Sequence, residues 1–221
     1  MKRFVDLSHP VRAGMVTYPG LPGPVVSDHL SRDASRAIYA PGTEFQIGRI
    51  EMVANTGTYL DTPCHRFDGG SDLCGVPLER VADLDGVLAD CAGLTAITAA
   101  DLDKAVEGSI EDGALLVGTG WGRHFGTEHY GDPAAPFLTR DAVEWIVRRR
   151  PALVGIDSVN VDDRQDGERP AHTGLLAAGI YVVEHLTGLD ALPARGFRFS
   201  AVPPKVEGMG TFTVRAFAVL S

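Results

Sequence analysis

The chain has 221 residues, 44% hydrophobic and 22% charged, a balance that predicts one globular domain spanning residues 1–221 and able to bury its own core. Its formal net charge of −9 argues against nucleic acid or an anionic membrane surface as partner, since both demand clustered Lys and Arg. Three cysteines are too few for a disulfide framework, and neither a signal peptide nor a membrane-spanning apolar run is read, so a cytoplasmic protein with reduced thiols is expected.

In chain order, strands are predicted at 46–54, 86–90, 114–119, 152–157, 179–184 and 211–220. Leu115-Leu116-Val117 and Leu153-Val154 are continuous apolar runs, the pattern of strands covered on both faces. Thr98 is placed to cap a helix that runs through Val106. Thr139 is placed to cap a second helix over 140–149, where Ala142, Val143, Ile146 and Val147 form an apolar stripe and Pro151 ends the run. The basic run Arg148-Arg149-Arg150 reads as the solvated end of that helix. A third short helix begins near His172 and stops by Gly179. Strands outnumber helices and alternate with them irregularly, which predicts a mixed α/β domain.

Chemistry concentrates in residues 55–65, Asn-Thr-Gly-Thr-Tyr-Leu-Asp-Thr-Pro-Cys-His. Alternation along an extended backbone points Asn55, Tyr59 and Asp61 towards similar space. Taken alone, Asp61 fits a turn cap before Pro63 as well as a ligand. Cys64 and His65, as neighbours, face apart, which argues against a thiol–imidazole dyad. Downstream, His172 sits in Ala171-His172-Thr173-Gly174, and Glu184 ends Tyr181-Val182-Val183-Glu184. His185 is expected on the opposite face of that strand and not as a ligand. His124 and His129 lie in a Gly-rich, charged loop that suits solvated or rim positions. The glycines of Gly118-Thr119-Gly120-Trp121-Gly122 lack the dinucleotide spacing.

Gly57, Thr58, Asp61, Pro63 and His65 resemble the signature His-x-Gly-Thr-His-x-Asp-x-Pro-x-His of the cyclase family, which includes bacterial kynurenine formamidases and isatin-hydrolase-like enzymes. Asn55 and Tyr59 stand where its first two histidines would be. Asp6-Leu7-Ser8-His9, Tyr18-Pro19-Gly20, Thr119-Gly120-Trp121 and Gly155-Ile156-Asp157-Ser158 add matches in the family's order. The resemblance implies a swivelling β/β/α domain around a central barrel-like mixed sheet. It implies a divalent metal ion, Zn²⁺ or Mn²⁺, held by Asp61, His172 and Glu184, with His65 as catalytic acid/base. Tyr59 would donate to a developing oxyanion, and Asn55, Phe67 and Trp121 would border the substrate.

The implied activity is hydrolysis of the C–N bond of an aryl formamide or cyclic amide. The loss of two imidazoles keeps two alternatives open: a metal-free lactone hydrolase or dehydratase using His65 and Tyr59, or a small-molecule binding protein without chemistry. A homodimer or homotetramer is implied as well, with residues 18–24 as an arm bordering a neighbour's pocket.

Overall fold

The computed structural model describes residues 1–220. Its strands are β1 (Arg3–Asp6), β2 (Val25–Leu30), β3 (Ile47–Glu51), β4 (Tyr59–Asp61), β5 (Leu84–Asp90), β6 (Ala96–Ile97) and β7 (Ala114–Gly118). They continue as β8 (Phe137–Leu138), β9 (Leu153–Ile156), β10 (Tyr181–Glu184), β11 (Phe197–Ser200), β12 (Thr211–Thr213) and β13 (Phe217–Leu220). The helices are α1 (Arg32–Ser35), α2 (Ala99–Ala105), α3 (Arg140–Arg149) and α4 (Pro170–Ala177).

Nine strands form one sheet in the order β1-β13-β11-β5-β7-β9-β10-β4-β12. The central β5, β7, β9 and β10 run parallel, and the strands flanking them pair antiparallel. The strand expected at 211–220 is in fact two, interrupted at 214–216. One half lies at an edge of the sheet and the other beside the far edge. So short a link joins them because the sheet curls round on itself. Val214 N–H donates to the Thr58 carbonyl and Leu7 N–H to the Ala216 carbonyl across the closure. This is the mixed α/β domain that the pattern of elements predicted, with the barrel-like sheet that the resemblance implied.

Period-two alternation divides each central strand between two cores. Leu115, Val117, Val154 and Val182 pack under the helices, against Leu102, Val143, Ile146 and Leu175. Leu116, Leu153 and Val183 point into the curl, against Phe199, Leu60 and Ala218. Both faces are covered, which is why these strands read as unbroken apolar runs.

Thr98 and Asp101 form a reciprocal capping box at the start of α2. Thr139 precedes α3 without capping it through its side chain; its hydroxyl instead lies 2.9 Å from the Ile97 carbonyl and 2.6 Å from the Asp141 carboxylate, either of which can accept its one proton. That contact fastens α3 to the β6–β8 pair. The strand expected at 46–54 is the shorter β3, and it stays outside the large sheet. It pairs with β2 as a separate ribbon that leaves Val25, Val26, Ile47 and Ile50 exposed. Among the described residues, no helix is long and apolar enough to cross a membrane.

Candidate metal centre

The site grows from the antiparallel pairing of β4 with β10. Tyr59 lies opposite Glu184 and Asp61 opposite Val182, while Leu60 and Val183 turn to the other face. Tyr59, Asp61 and Glu184 therefore emerge on the helix-covered side, where α4 brings His172 over them. After β4, Pro63–His65 makes one tight turn that returns His65 towards Asp61. A β-carbon on Gly210 would sit 2.3 Å from the His65 nitrogen, so only glycine lets the chain before β12 run against this turn.

Three distances define the centre. His172 Nε2 lies 3.6 Å from Asp61 Oδ2 and 3.7 Å from Glu184 Oε1, and His65 Nε2 lies 3.9 Å from Asp61 Oδ1. Asp61, His65 and His172 each offer a ligand atom, and these all lie within 4.8 Å of one another. Asp61 is fully buried, yet neither of its carboxylate oxygens has a hydrogen-bond partner. An orphaned carboxylate in such a place is costly unless a cation meets it. Imidazole with carboxylate is also a donor set that suits Zn²⁺ or Mn²⁺. The residues present fit a divalent ion.

A second layer fixes these groups. Asp162 accepts from His172 Nδ1 at 2.6 Å and from the backbone N–H groups of Ala171 and His172 at 2.5 and 3.0 Å. One carboxylate thus caps α4 and turns Nε2 of His172 towards Asp61. Burial opposes protonation of His172, but the Glu184, Asp162 and Asp61 carboxylates outweigh it and hold the imidazole pKa well above its ordinary range, so a divalent ion would bind there by displacing the Nε2 proton. Burial pushes the Glu184 carboxyl up to about 7, helped by Asp61 and opposed by His172, Tyr59 and the Val161 N–H.

His185 overturns its expected orientation. It follows β10 in the left-handed region, at φ 56°, which swings its ring back beneath the site. There Nδ1 lies 2.8 Å from the Tyr130 hydroxyl and Nε2 3.3 Å from the Tyr59 hydroxyl, which in turn donates to Glu184 at 2.6 Å. Burial and then His9 lower the His185 pKa to about 3, so the ring is neutral. The donors then line up in one direction: Tyr130 to His185, His185 to Tyr59, Tyr59 to Glu184. Burial first, then Glu184 and Asp61, hold the Tyr59 phenol well above its usual range, so it serves as donor and not as an anionic ligand.

A cavity of about 330 Å³ opens over the centre, lined by Tyr18, Leu21, Asn55, Tyr59, His65, Arg66, Asn160, Arg169, His172 and Glu184. Asn55, Tyr59, His65, His172 and Glu184 meet there, and Asp61 lies buried beneath. Phe67 and Trp121 do not line it. Phe67 packs against the core under the helices, whose apolar surface claims its ring. Trp121 donates its indole N–H to the Tyr130 carbonyl at 3.0 Å and packs against His124 and His129. Residues 18–24, expected to border a neighbour's pocket, contribute Tyr18 and Leu21 to the cavity of their own chain. Sequence reasoning missed Asp162, Tyr130, Asn160, Arg66 and Arg169; only the polar cluster 160–163 after a buried strand hinted at the first.

A family model described as "Putative cyclase" matches residues 5–163. The chain belongs to the cyclase family. A kynurenine formamidase of Bacillus thuringiensis subsp. konkukian is 24% identical over 213 residues, covering 96% of this chain and 95% of that protein. One from Erythrobacter litoralis is 24% identical over 206 residues, 93% and 88% of the two chains. Among solved structures, isatin hydrolase A from Ralstonia solanacearum superposes with a TM-score of 0.83 at 23% identity, covering 100% of this chain and 92% of that one. A potential metal-dependent hydrolase with cyclase activity gives 0.81 at 23% identity, covering 99% and 98%. This cyclase-family chain spans nearly the full length of each.

Proposed function

We propose that this cyclase-family protein is a small-molecule hydrolase that cleaves the C–N bond of an aryl formamide or cyclic amide with the help of a divalent cation, Zn²⁺ or Mn²⁺. The observation that carries this reading is the buried Asp61 carboxylate, without a hydrogen-bond donor and flanked by two imidazoles. The kynurenine formamidase relatives support a formamide substrate, and the likeness to isatin hydrolase supports a cyclic amide as the other member of the class.

Asp61 and His172 would hold the cation, with Glu184 on the buried side as the next donor. When bound, such an ion polarises a carbonyl and makes water more acidic. The chain's own residues do the rest. The His65 side chain is one-third exposed (33%) where the others are buried, so it can reach both substrate and solvent. It takes the proton of the attacking water and delivers it to the leaving nitrogen as the C–N bond breaks, releasing a carboxylic acid and an amine. Tyr59 gives its single proton to Glu184, so we assign it to holding that carboxylate and not to the oxyanion. Asn55 lines the cavity as a neutral polar contact for the substrate.

That same Tyr59 bond weighs against a metal-free lactone hydrolase or dehydratase, which would need the phenolic proton free. For the reading as a binding protein, the double reversion Asn55→His and Tyr59→His is informative: gain of metal affinity and formamidase activity marks a catalytic scaffold. The main test is turnover of N-formylkynurenine and isatin by chelator-treated protein with Zn²⁺ or Mn²⁺ restored. No hydrolysis of either under any added ion removes the proposal. Apolar side chains left exposed on the β2–β3 ribbon support association of two or four copies. Light scattering of a dilute sample would contradict this by showing only monomer.

A further inference from the structure

We infer that the cavity takes a substrate bearing a carboxylate, held at its rim by Arg66 and Arg169. The inference rests on the hydrolase reading and narrows its substrate class. About half of the arginines pair with a carboxylate. Arg149 pairs with Asp103 and Arg215 with Asp6. Among the described residues, Arg66 and Arg169 pair with none, and both line the cavity.

Each is nevertheless held. Arg66 donates from Nε to the Thr173 hydroxyl at 3.1 Å and lies 5.3 Å from the Phe67 ring centroid, which leaves its terminal nitrogens free. Arg169 has left-handed backbone, φ 51°, an unfavourable setting for a residue with a β-carbon and one that recurs at ligand clamps. Its guanidinium makes only long contacts, 3.4 Å to Asn160 Oδ1 and 3.5 Å to the Asp163 carbonyl. Thr173 ties the two together, because its N–H donates to the Arg169 carbonyl at 2.9 Å while its hydroxyl receives Arg66. Two guanidinium forks at the first turn of α4 match a planar carboxylate. The acids of the site do not neutralise them, since Asp61 and Glu184 face His172 on the floor. An anionic group fixed at the rim would hold the rest of the substrate over that floor.

The test compares 2-formamidobenzoate with neutral formanilide. Water converts either one to formate and an aryl amine, so the pair differs only in the carboxylate. Wild type should favour 2-formamidobenzoate. Arg66→Gln and Arg169→Gln should each lower its kcat/KM about tenfold or more, chiefly through KM, with formanilide within about twofold. Arg66 is exposed, so its replacement leaves the fold intact, and Arg66→Lys should restore part of the loss. Calorimetric binding of 2-aminobenzoate against aniline reads the same site without turnover. Arginine-dependent binding of 2-aminobenzoate with neither formamide hydrolysed would sink the hydrolase reading and leave the anion site standing. Equal use of both formamides, indifferent to the substitutions, would overturn the anion site and leave the hydrolase. Absence of 2-aminobenzoate binding would overturn it too.

Discussion

Tyr59 and Glu184 stand opposite one another in the β4–β10 ladder, and a 2.6 Å hydrogen bond joins phenol to carboxylate. The second Glu184 oxygen accepts from the Val161 N–H, also at 2.6 Å. Tyr59→Phe removes one of these two donors from a fully buried acid. A buried acceptor left short of its partner costs about 1–3 kcal/mol. Urea unfolding of Tyr59→Phe should show a loss of that order, and a variant as stable as wild type would show that the bond contributes nothing.

Asp162 has two tasks, capping α4 and orienting His172. Asp162→Asn keeps the shape but removes the charge that sets the imidazole. Loss of such outer support lowers metal affinity or activity about 10–100-fold, and loss of a cap costs roughly 1 kcal/mol. Metal titration and thermal melting should therefore both respond. A lowered melting temperature with unchanged metal affinity would limit Asp162 to the cap.

Burial lowers the His9 pKa from 6.5 to about 4, and its Nε2 has no hydrogen-bond partner. Between those values the unfolded chain carries a proton that the folded one refuses, so stability falls as pH drops from 6.5 towards 4. His9→Phe preserves the ring stack on Phe125 and removes the titrating group. Its stability should fall less than that of wild type between pH 7 and pH 5, by roughly 1 kcal/mol after allowing for partial exposure. Parallel pH profiles for the two proteins would contradict this.

Gly210→Ala forces a β-carbon onto the backbone of His65. Backbone does not yield as a flexible side chain does, so the expected cost is about 3 kcal/mol or more, with His65 displaced. Activity should fall further than stability alone explains. A variant with wild-type melting and turnover would mean the turn relaxes freely.

Much of this molecule is written locally. The apolar runs of β7 and β9 and the helix start at Thr98 depend on neighbours in sequence, and each is found where those neighbours place it. What the chain hid depends on distant packing. His185 was expected to alternate away from Glu184, and one left-handed backbone step at the strand's end reversed it. Asp162 looks like any acid in a loop until α4 docks its first turn upon it. Phe67 and Trp121 were implied as substrate walls by the resemblance, but Phe67 packs against the core under the helices and Trp121 against His124 and His129. The curl that splits 211–220 into β12 and β13 follows from sheet closure, which no local pattern reports.

The central claim is that Asp61 anchors a divalent ion. Calorimetric titration of Zn²⁺ and Mn²⁺ into chelator-treated wild type and Asp61→Asn tests it most directly. The account predicts one ion bound per wild-type chain and severe loss of binding in Asp61→Asn. Equal binding by both proteins, or none by wild type, would contradict it.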